Sequence, residues 1–246
     1  MADVPAITQQ AFTSGAPPVS AVRYVAAEGV PASDTTIVIA HGAGAGMSHP
    51  FLVAAAAGLA DRGFDAITFN FPYMERRSKA PNKAPQLEAC YRELIATLTG
   101  RGWLADRRLV IGGKSMGGRM ATMVTAAADA GTEPVAHPIA GVVALGYPLH
   151  PPGRPEQLRV AHFATLRTPL LVVQGTRDDF GSPDELAPHL GPLGSLATIH
   201  PVERGDHSFK VTGLPRGTHG GVLDGILDTV AAWCRALPAA RRELIT

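Results

Sequence analysis

Cysteine is scarce in this sequence, with only Cys90 and Cys234 among 246 residues. Both fall on or beside apolar faces of helical patterns, so they read as buried thiols and not as a disulfide framework. An excess of charge of either sign is also missing. Lys and Arg number 22 against 21 Asp and Glu, a formal net charge of +1, which leaves no overall pull toward nucleic acid or an anionic membrane. No apolar run approaches the roughly 20 residues of a membrane span. The opening MADVPAITQQAFTS lacks the basic stretch and apolar run of a secretory signal. There is no HExxH pair and no Cys/His cluster, so no metal site is expected. No internal repeat, low-complexity segment or compositional shift marks a boundary. The expectation is a single domain over 1–246 in a reducing cytoplasm.

What is present is enough apolar material for a sizeable core, 46% of the chain. Short apolar runs predict strands at Ala21–Ala26, Thr36–Ala40, Ala66–Phe71, Leu109–Gly112, Gly141–Leu145, Pro169–Gln174 and Ala197–Val202. Most are continuous Val, Ile, Leu and Ala, the pattern of strands covered on both faces. Between them, Leu87, Cys90, Tyr91, Leu94, Ile95 and Leu98 lie on one face of a helix. Further helices are expected over Met116 to about Ala130, over Phe51–Asp61 with Ser48 as cap and Pro50 near the first turn, and around Val222–Trp233. This alternation predicts an α/β fold, a doubly wound and mostly parallel sheet with helices on both faces. In such sheets ligands bind beyond the carboxyl ends of the strands.

The loops at those ends carry the chemistry. Behind Ile37–Ala40 lies HGAGAG, His41 to Gly46. Its glycines let backbone N–H groups approach a ligand, as a phosphate loop or as a cradle for an oxyanion, but it lacks the Gly-Lys-Ser/Thr ending of a P-loop. Behind Leu109–Gly112 lies a G-x-S-x-G, Gly113 to Gly117. A serine there stands on a tight strand-to-helix turn, and the N–H of Met116 points where negative charge would form. Asp178 follows the next apolar strand but one, and His207 the last. A hydroxyl nucleophile needs a base, and the base needs a group to hold its ring. The order Ser115, Asp178, His207 is that expected of a nucleophile elbow on an α/β-hydrolase sheet. Asp179 competes for the acid role. Asp206 adjoins His207, where neighbouring side chains seldom face each other. Of the other histidines, His41 is expected to brace its own loop, His49 and His150 are candidates for the pocket wall, and His137, His162, His189, His200 and His219 are expected to be structural or solvated.

Together these segments, HGAGAGMSHP, FNFPYME, GGKSMGGRM, GYPLHPPGRPEQLR and VQGTRDDFG with His207, resemble the α/β-hydrolase superfamily. The chain is similar to its compact dienelactone-hydrolase-like branch. It is also similar to small bacterial hydrolase-like proteins related to testis-expressed protein 30 and to a non-catalytic-looking subunit of a histone acetyltransferase complex. The resemblance implies Ser115 as nucleophile, His207 as base, Asp178 as acid, and oxyanion N–H groups from Met116 and Ala43. Dienelactone hydrolases carry cysteine where Ser115 stands. The Ser-Asp-His order predicts a serine hydrolase of small carboxylic esters or thioesters that needs no cofactor; the resemblance says little about substrate. Two alternatives stay open: amide or peptide hydrolysis by the same triad, and a binding or scaffold protein on the hydrolase fold.

Larger hydrolases insert a cap after the strand ending at Leu145. Here Gly146–Thr168 is short and carries four prolines, so little or no cap and an open cleft are expected. Candidate substrate contacts are Gly44, Met47, Tyr73, Tyr147, Phe180 and Phe209, with Phe71 and Leu149 beside them. The basic loop Met74–Pro85, with Arg76, Arg77, Lys79 and Lys83, could draw in an anionic substrate, although a solvated loop is the simpler reading. The expected partner is a small-molecule ester, with no nucleic acid and no membrane.

Overall fold

The computed structural model describes residues 8–15, 18–211, 213 and 219–238. Eight strands form one sheet. In chain order they are β1 (Gln9–Ser14), β2 (Val19–Tyr24), β3 (Thr35–Ala40), β4 (Asp65–Phe69), β5 (Arg108–Lys114), β6 (Ile139–Leu145), β7 (Leu170–Gly175) and β8 (Ala197–Val202). Their spatial order is β1-β2-β4-β3-β5-β6-β7-β8. β1 and β2 are antiparallel to each other, and β2 is antiparallel to β4. From β4 across to β8 every pairing is parallel. β3, β4 and β7 are buried along their whole length, as strands with helices on both faces must be.

The helices are α1 (Pro50–Ala60), the single turn α2 (Pro72–Glu75), α3 (Ala84–Gly100), α4 (Met116–Asp129), α5 (Pro183–Leu190) and α6 (His219–Ala236). Leu87, Tyr91 and Leu94 of α3 join Met120 and Val124 of α4 and Leu186 of α5 in the core on one face. Leu52, Leu59 and Phe64 join Ile226, Leu227 and Val230 of α6 in the core on the other. Cys90 and Cys234 are free thiols in these opposite cores. Among the described residues, none of the helices is long and apolar enough to cross a membrane. Between β6 and β7 the only helical piece is a short 3-10 turn at Ala161–Thr165, so among the described residues no cap covers the carboxyl end of the sheet.

The expected strands are all present, shifted by at most two residues at their ends. Three elements were not expected. β1 is an edge strand of which only Phe12 and Ser14 are buried. α2 is one turn. α5 opens on a capping box in which Ser182 and Glu185 exchange hydrogen bonds. The cap of α1 is His49 and not Ser48, because the His49 ring accepts from Phe51 N–H at 3.3 Å.

β5 carries the candidate nucleophile and is fixed from below. The Tyr91 hydroxyl donates to the Gly112 carbonyl at 2.6 Å and accepts from Gly112 N–H at 3.2 Å. Gly112 has no room for more, since a Cβ there would meet the Val143 carbonyl oxygen. Removing a hydroxyl partnered in a dry core leaves the facing backbone groups unsatisfied. Tyr91→Phe is expected to lower the unfolding free energy by about 1–3 kcal/mol, measured by urea denaturation.

Candidate active site

β5 ends at Lys114 and α4 begins at Met116, so one residue must turn the chain. Ser115 does so at φ 52°, ψ −115°, a conformation that a side-chain-bearing residue adopts only under strain. The helix can start so abruptly because glycines remove the obstacles. A Cβ on Gly113 would lie 2.5 Å from the Ala40 carbonyl oxygen, and one on Gly117 would meet the same oxygen at 2.5 Å. α4 therefore packs directly on the end of β3. The first N–H groups of a helix have no partner inside it, and the helix dipole adds positive potential at that end. The N–H of Met116 is the first of α4 and sits beside Ser115.

The loop after β8 delivers His207. Its Nε2 is 2.8 Å from Ser115 Oγ, and its Nδ1 is 2.7 Å from Asp178 Oδ2. A carboxylate facing Nδ1 selects the tautomer in which Nδ1–H donates, leaving Nε2 to accept from the serine hydroxyl. Asp178 is held in turn. Gln174 Nε2 donates to its Oδ2 at 2.9 Å, and Phe180 N–H donates to its Oδ1 at 2.8 Å. The carboxylate is buried, whereas Asp179 is exposed. Asp206 accepts from the N–H groups of Ser208 and Lys210 and closes a turn. The Phe180 ring stacks on His207 with centroids 4.2 Å apart. On the other side, Lys114 Nζ donates to the His207 carbonyl at 2.5 Å. Burial lowers the Lys114 ammonium to about 8, with Asp178 and Asp206 opposing that shift.

Ser115 and His207 open into a cleft of about 690 Å³. Ala43, Met116 and Phe180 line it, as does His49. The remaining pocket expectations are corrected. Tyr73 is fully buried, and its hydroxyl reaches the Gly42 carbonyl at 3.4 Å. Tyr147 is fully buried and donates to the Arg159 carbonyl at 2.6 Å. Phe71 and Leu149 belong to the same core. Phe209 is buried behind Phe51 with its ring stacked at 6.0 Å. Gly44 and Met47 lie beyond the lining, and Met47 is tied by its N–H to Asn70 Oδ1 at 2.9 Å. Large aromatic side chains near a site are consumed by the core that supports it. His150 is buried with Nδ1 on the Pro151 carbonyl, and the side chain of His219 lies outside the described residues. Arg76 borders a separate hollow beside Cys90 and Glu93, and none of Arg76, Arg77, Lys79 or Lys83 lines the cleft.

His41 does brace its loop. Phe71 N–H donates to its Nε2 at 3.0 Å, so the proton sits on Nδ1, which donates to the Gly42 carbonyl at 2.8 Å. Among the lining residues that the sequence did not point to are Arg119 and Arg159. Arg119 lies four residues beyond Ser115, hence on the same side of α4, a spacing that was readable. Among the described residues no three His, Cys, Asp or Glu side chains converge as metal ligands.

The strained serine after β5, with a histidine and a buried aspartate from two later loops, fits the comparisons with known proteins. A family model described as alpha/beta hydrolase domain matches residues 33–235. The chain belongs to this alpha/beta hydrolase family. Solved structures share the fold. A serine hydrolase without a lid from Xanthomonas campestris superposes with a TM-score of 0.69 at 21% identity, over 94% of this chain and 96% of that one. Dienelactone hydrolase from Anabaena variabilis gives 0.69 at 17%, over 94% and 98%. A puromycin-hydrolyzing peptidase from Mycobacterium tuberculosis gives 0.66 at 17%, over 95% of this chain and 41% of that one.

Burial holds His41 neutral, lowering it from 6.5 to about 4 against the pull of the Gly42 carbonyl. The unfolded chain takes up a proton there below about 6.5, and the native chain only near 4. Stability is therefore full above 6.5 and lost as pH falls toward 4. The expected loss is about 3 kcal/mol in all, near 1.4 kcal/mol per pH unit. Urea unfolding at pH 7, 6 and 5 checks it, and His41→Gln is expected to flatten this part of the slope.

Proposed function

We propose that this protein is a serine hydrolase of small carboxylic esters or thioesters. The observation that carries the reading is the hydrogen-bond chain from Asp178 through His207 to Ser115, 2.7 and 2.8 Å long, opening into the uncapped cleft. In this reading Ser115 Oγ attacks the acyl carbonyl while His207 Nε2 takes its proton. Asp178 keeps the ring oriented and stabilises the imidazolium. The N–H groups of Met116 and Ala43 receive the negative oxygen of the tetrahedral intermediate, each donor lowering the barrier by roughly 3–4 kcal/mol. His207 then returns the proton to the leaving alcohol or thiol, and water attacks the acyl-enzyme by the same route in reverse. No cofactor enters these steps, and the reactant is a small molecule.

The cleft favours short acyl chains. It is open to solvent, and Tyr73, Tyr147 and Phe209, which could have deepened it, are spent on the core. Amide hydrolysis is the second reading, since a peptidase shares the fold. It asks more of the leaving group, because an amine departs only once protonated.

p-Nitrophenyl esters from acetate to decanoate are expected to be hydrolysed with kcat/KM falling as the chain lengthens. Ser115→Ala is expected to lower kcat by a factor on the order of 10⁴–10⁶, and Asp178→Asn by about 10⁴. A fluorophosphonate is expected to label Ser115 in the wild type only. Equal rates for wild type and Ser115→Ala, with no labelling, would overturn the reading in favour of a binding or scaffold role. Faster turnover of p-nitroanilides than of matched esters would favour the amide reading.

A further inference from the structure

The charges lining the cleft are all of one sign. Lys114, Arg119, Arg159 and Lys210 border it together with His49 and His207, and among the described residues no carboxylate does. Lys114 is occupied by the His207 carbonyl, and Lys210 is exposed. The two arginines are different. Arg119 Nε is buried and has no hydrogen-bond partner among the described residues, and no ion pair there involves Arg119 or Arg159. The Arg159 side chain makes one long contact, Nη1 to the Pro148 carbonyl at 3.4 Å. Its backbone is pinned by Leu149, which accepts its N–H at 2.9 Å, and by the Tyr147 hydroxyl. Burial, and then the Arg119 charge, lower the Arg159 guanidinium, and both effects also lower His162. Glu88 on α3 feels Arg119 as well, although burial outweighs that and raises its carboxyl.

Two like charges thus face one cavity, partly dehydrated, with unused donors. A buried donor without an acceptor costs free energy, and so does the repulsion between neighbouring cations. An anion with two or more oxygens placed between them removes both costs, and guanidinium forks match that shape.

We propose that Arg119 and Arg159 form an anion-binding end of the cleft, and that the ester cleaved by Ser115 carries a carboxylate or phosphoryl group. Arg119 lies about one helical turn, 5.4 Å along the axis, from Ser115. Ser115, Arg119 and Arg159 line one cleft, so the probe is an ester that carries its anionic group a short chain away from the carbonyl, as a glutaric half-ester does. This inference rests on the esterase reading for the bond that is cut, but not for the binding of the anion.

The first test is calorimetry on Ser115→Ala protein with monomethyl glutarate, dimethyl glutarate and inorganic phosphate. The half-ester is expected to bind at least about tenfold more tightly than the diester, with the advantage shrinking as salt rises. Arg119→Gln and Arg159→Gln, each in the Ser115→Ala background, are expected to remove most of that advantage, and Arg119→Lys to restore part of it. Phosphate displacing the half-ester at comparable concentration would assign a phosphoryl group, and failure to displace it a carboxylate. Equal affinity for half-ester and diester, or no measurable binding of either, overturns the proposal. So does an advantage that survives both Gln variants. The second test is the wild-type ratio of kcat/KM for p-nitrophenyl hemiglutarate over p-nitrophenyl valerate. A ratio that falls about tenfold in Arg119→Gln supports the proposal, and a ratio near one that both Gln variants leave unmoved overturns it. Half-ester binding by Ser115→Ala without wild-type cleavage of either ester would keep the anion site and overturn the esterase reading alone.

Discussion

The structure turns on the contact between the first turn of α4 and the carboxyl end of β3. The Ala40 carbonyl oxygen is so close to Gly113 and Gly117 that neither position has space for a methyl group. That contact fixes Ser115 at φ 52°, lifting its hydroxyl above the sheet instead of into it. It also sets the HGAGAG loop, which leaves β3 at this point, against the start of α4. One steric constraint therefore places both the candidate nucleophile and the backbone groups proposed to stabilise the negative oxygen that its attack forms. The strain at Ser115 persists because the packing around it is closed. β5 is anchored by Tyr91 and bounded by Val143, and α4 continues into a long apolar face.

The candidate base and acid depend on a second close approach. Gly175 ends β7 against the carbonyls of Gly205 and Asp206, so the loop after β8 lies directly on the loop after β7. Arg177 N–H donates to the Gly205 carbonyl at 2.9 Å and joins the two. Gln174 is wholly buried and spends its amide on Asp178, Gly181 and Tyr147. A polar side chain at the end of a core strand is costly unless every donor is used. Here the full use of those donors ties the acid loop to the β6 loop. The loops of Asp178 and His207 thus share backbone contacts, and Lys114 on the His207 carbonyl ties the Ser115 turn to them, so displacing one strains the others.

Much of this was legible because the signals were local. Continuous Val and Ile runs name buried parallel strands, and G-x-S-x-G needs its glycines for reasons confined to five residues. The order Ser115, Asp178, His207 followed from reading each loop after its strand. Burial separated Asp178 from Asp179, a distinction that one residue of sequence could not carry, since both follow the same strand. β1 was missed because an edge strand buries only alternate residues, and QQAFTS offers two. The capping box Ser182-x-x-Glu185 was present in the sequence and would have announced α5. The pocket was least legible. Tyr73 and Tyr147 stand right after β4 and β6 in sequence, yet each turns inward to hold a loop carbonyl. Which way a side chain turns at a strand end depends on neighbours far along the chain.

The near balance of charge in the whole sequence also concealed something local. Among the described residues, several carboxylates pair with arginines away from the cleft. Asp65 holds Arg23 and Arg107, Asp34 holds Arg108, and Asp224 and Asp228 hold Arg62. Among the described residues Lys114, Arg119, Arg159 and Lys210, which border the cleft, have no such partners. A chain with a net charge of +1 therefore presents a positive, partly desolvated concavity around Ser115, where field lines are focused. In the proposed reaction such a field serves two steps at once. It favours negative charge arriving with a substrate, and it favours the negative charge that forms on the acyl oxygen during attack. Asp178 would weaken both if it faced the cleft. Its burial behind His207 lets it orient the base while its own field is spent on the imidazole and the Gln174 amide.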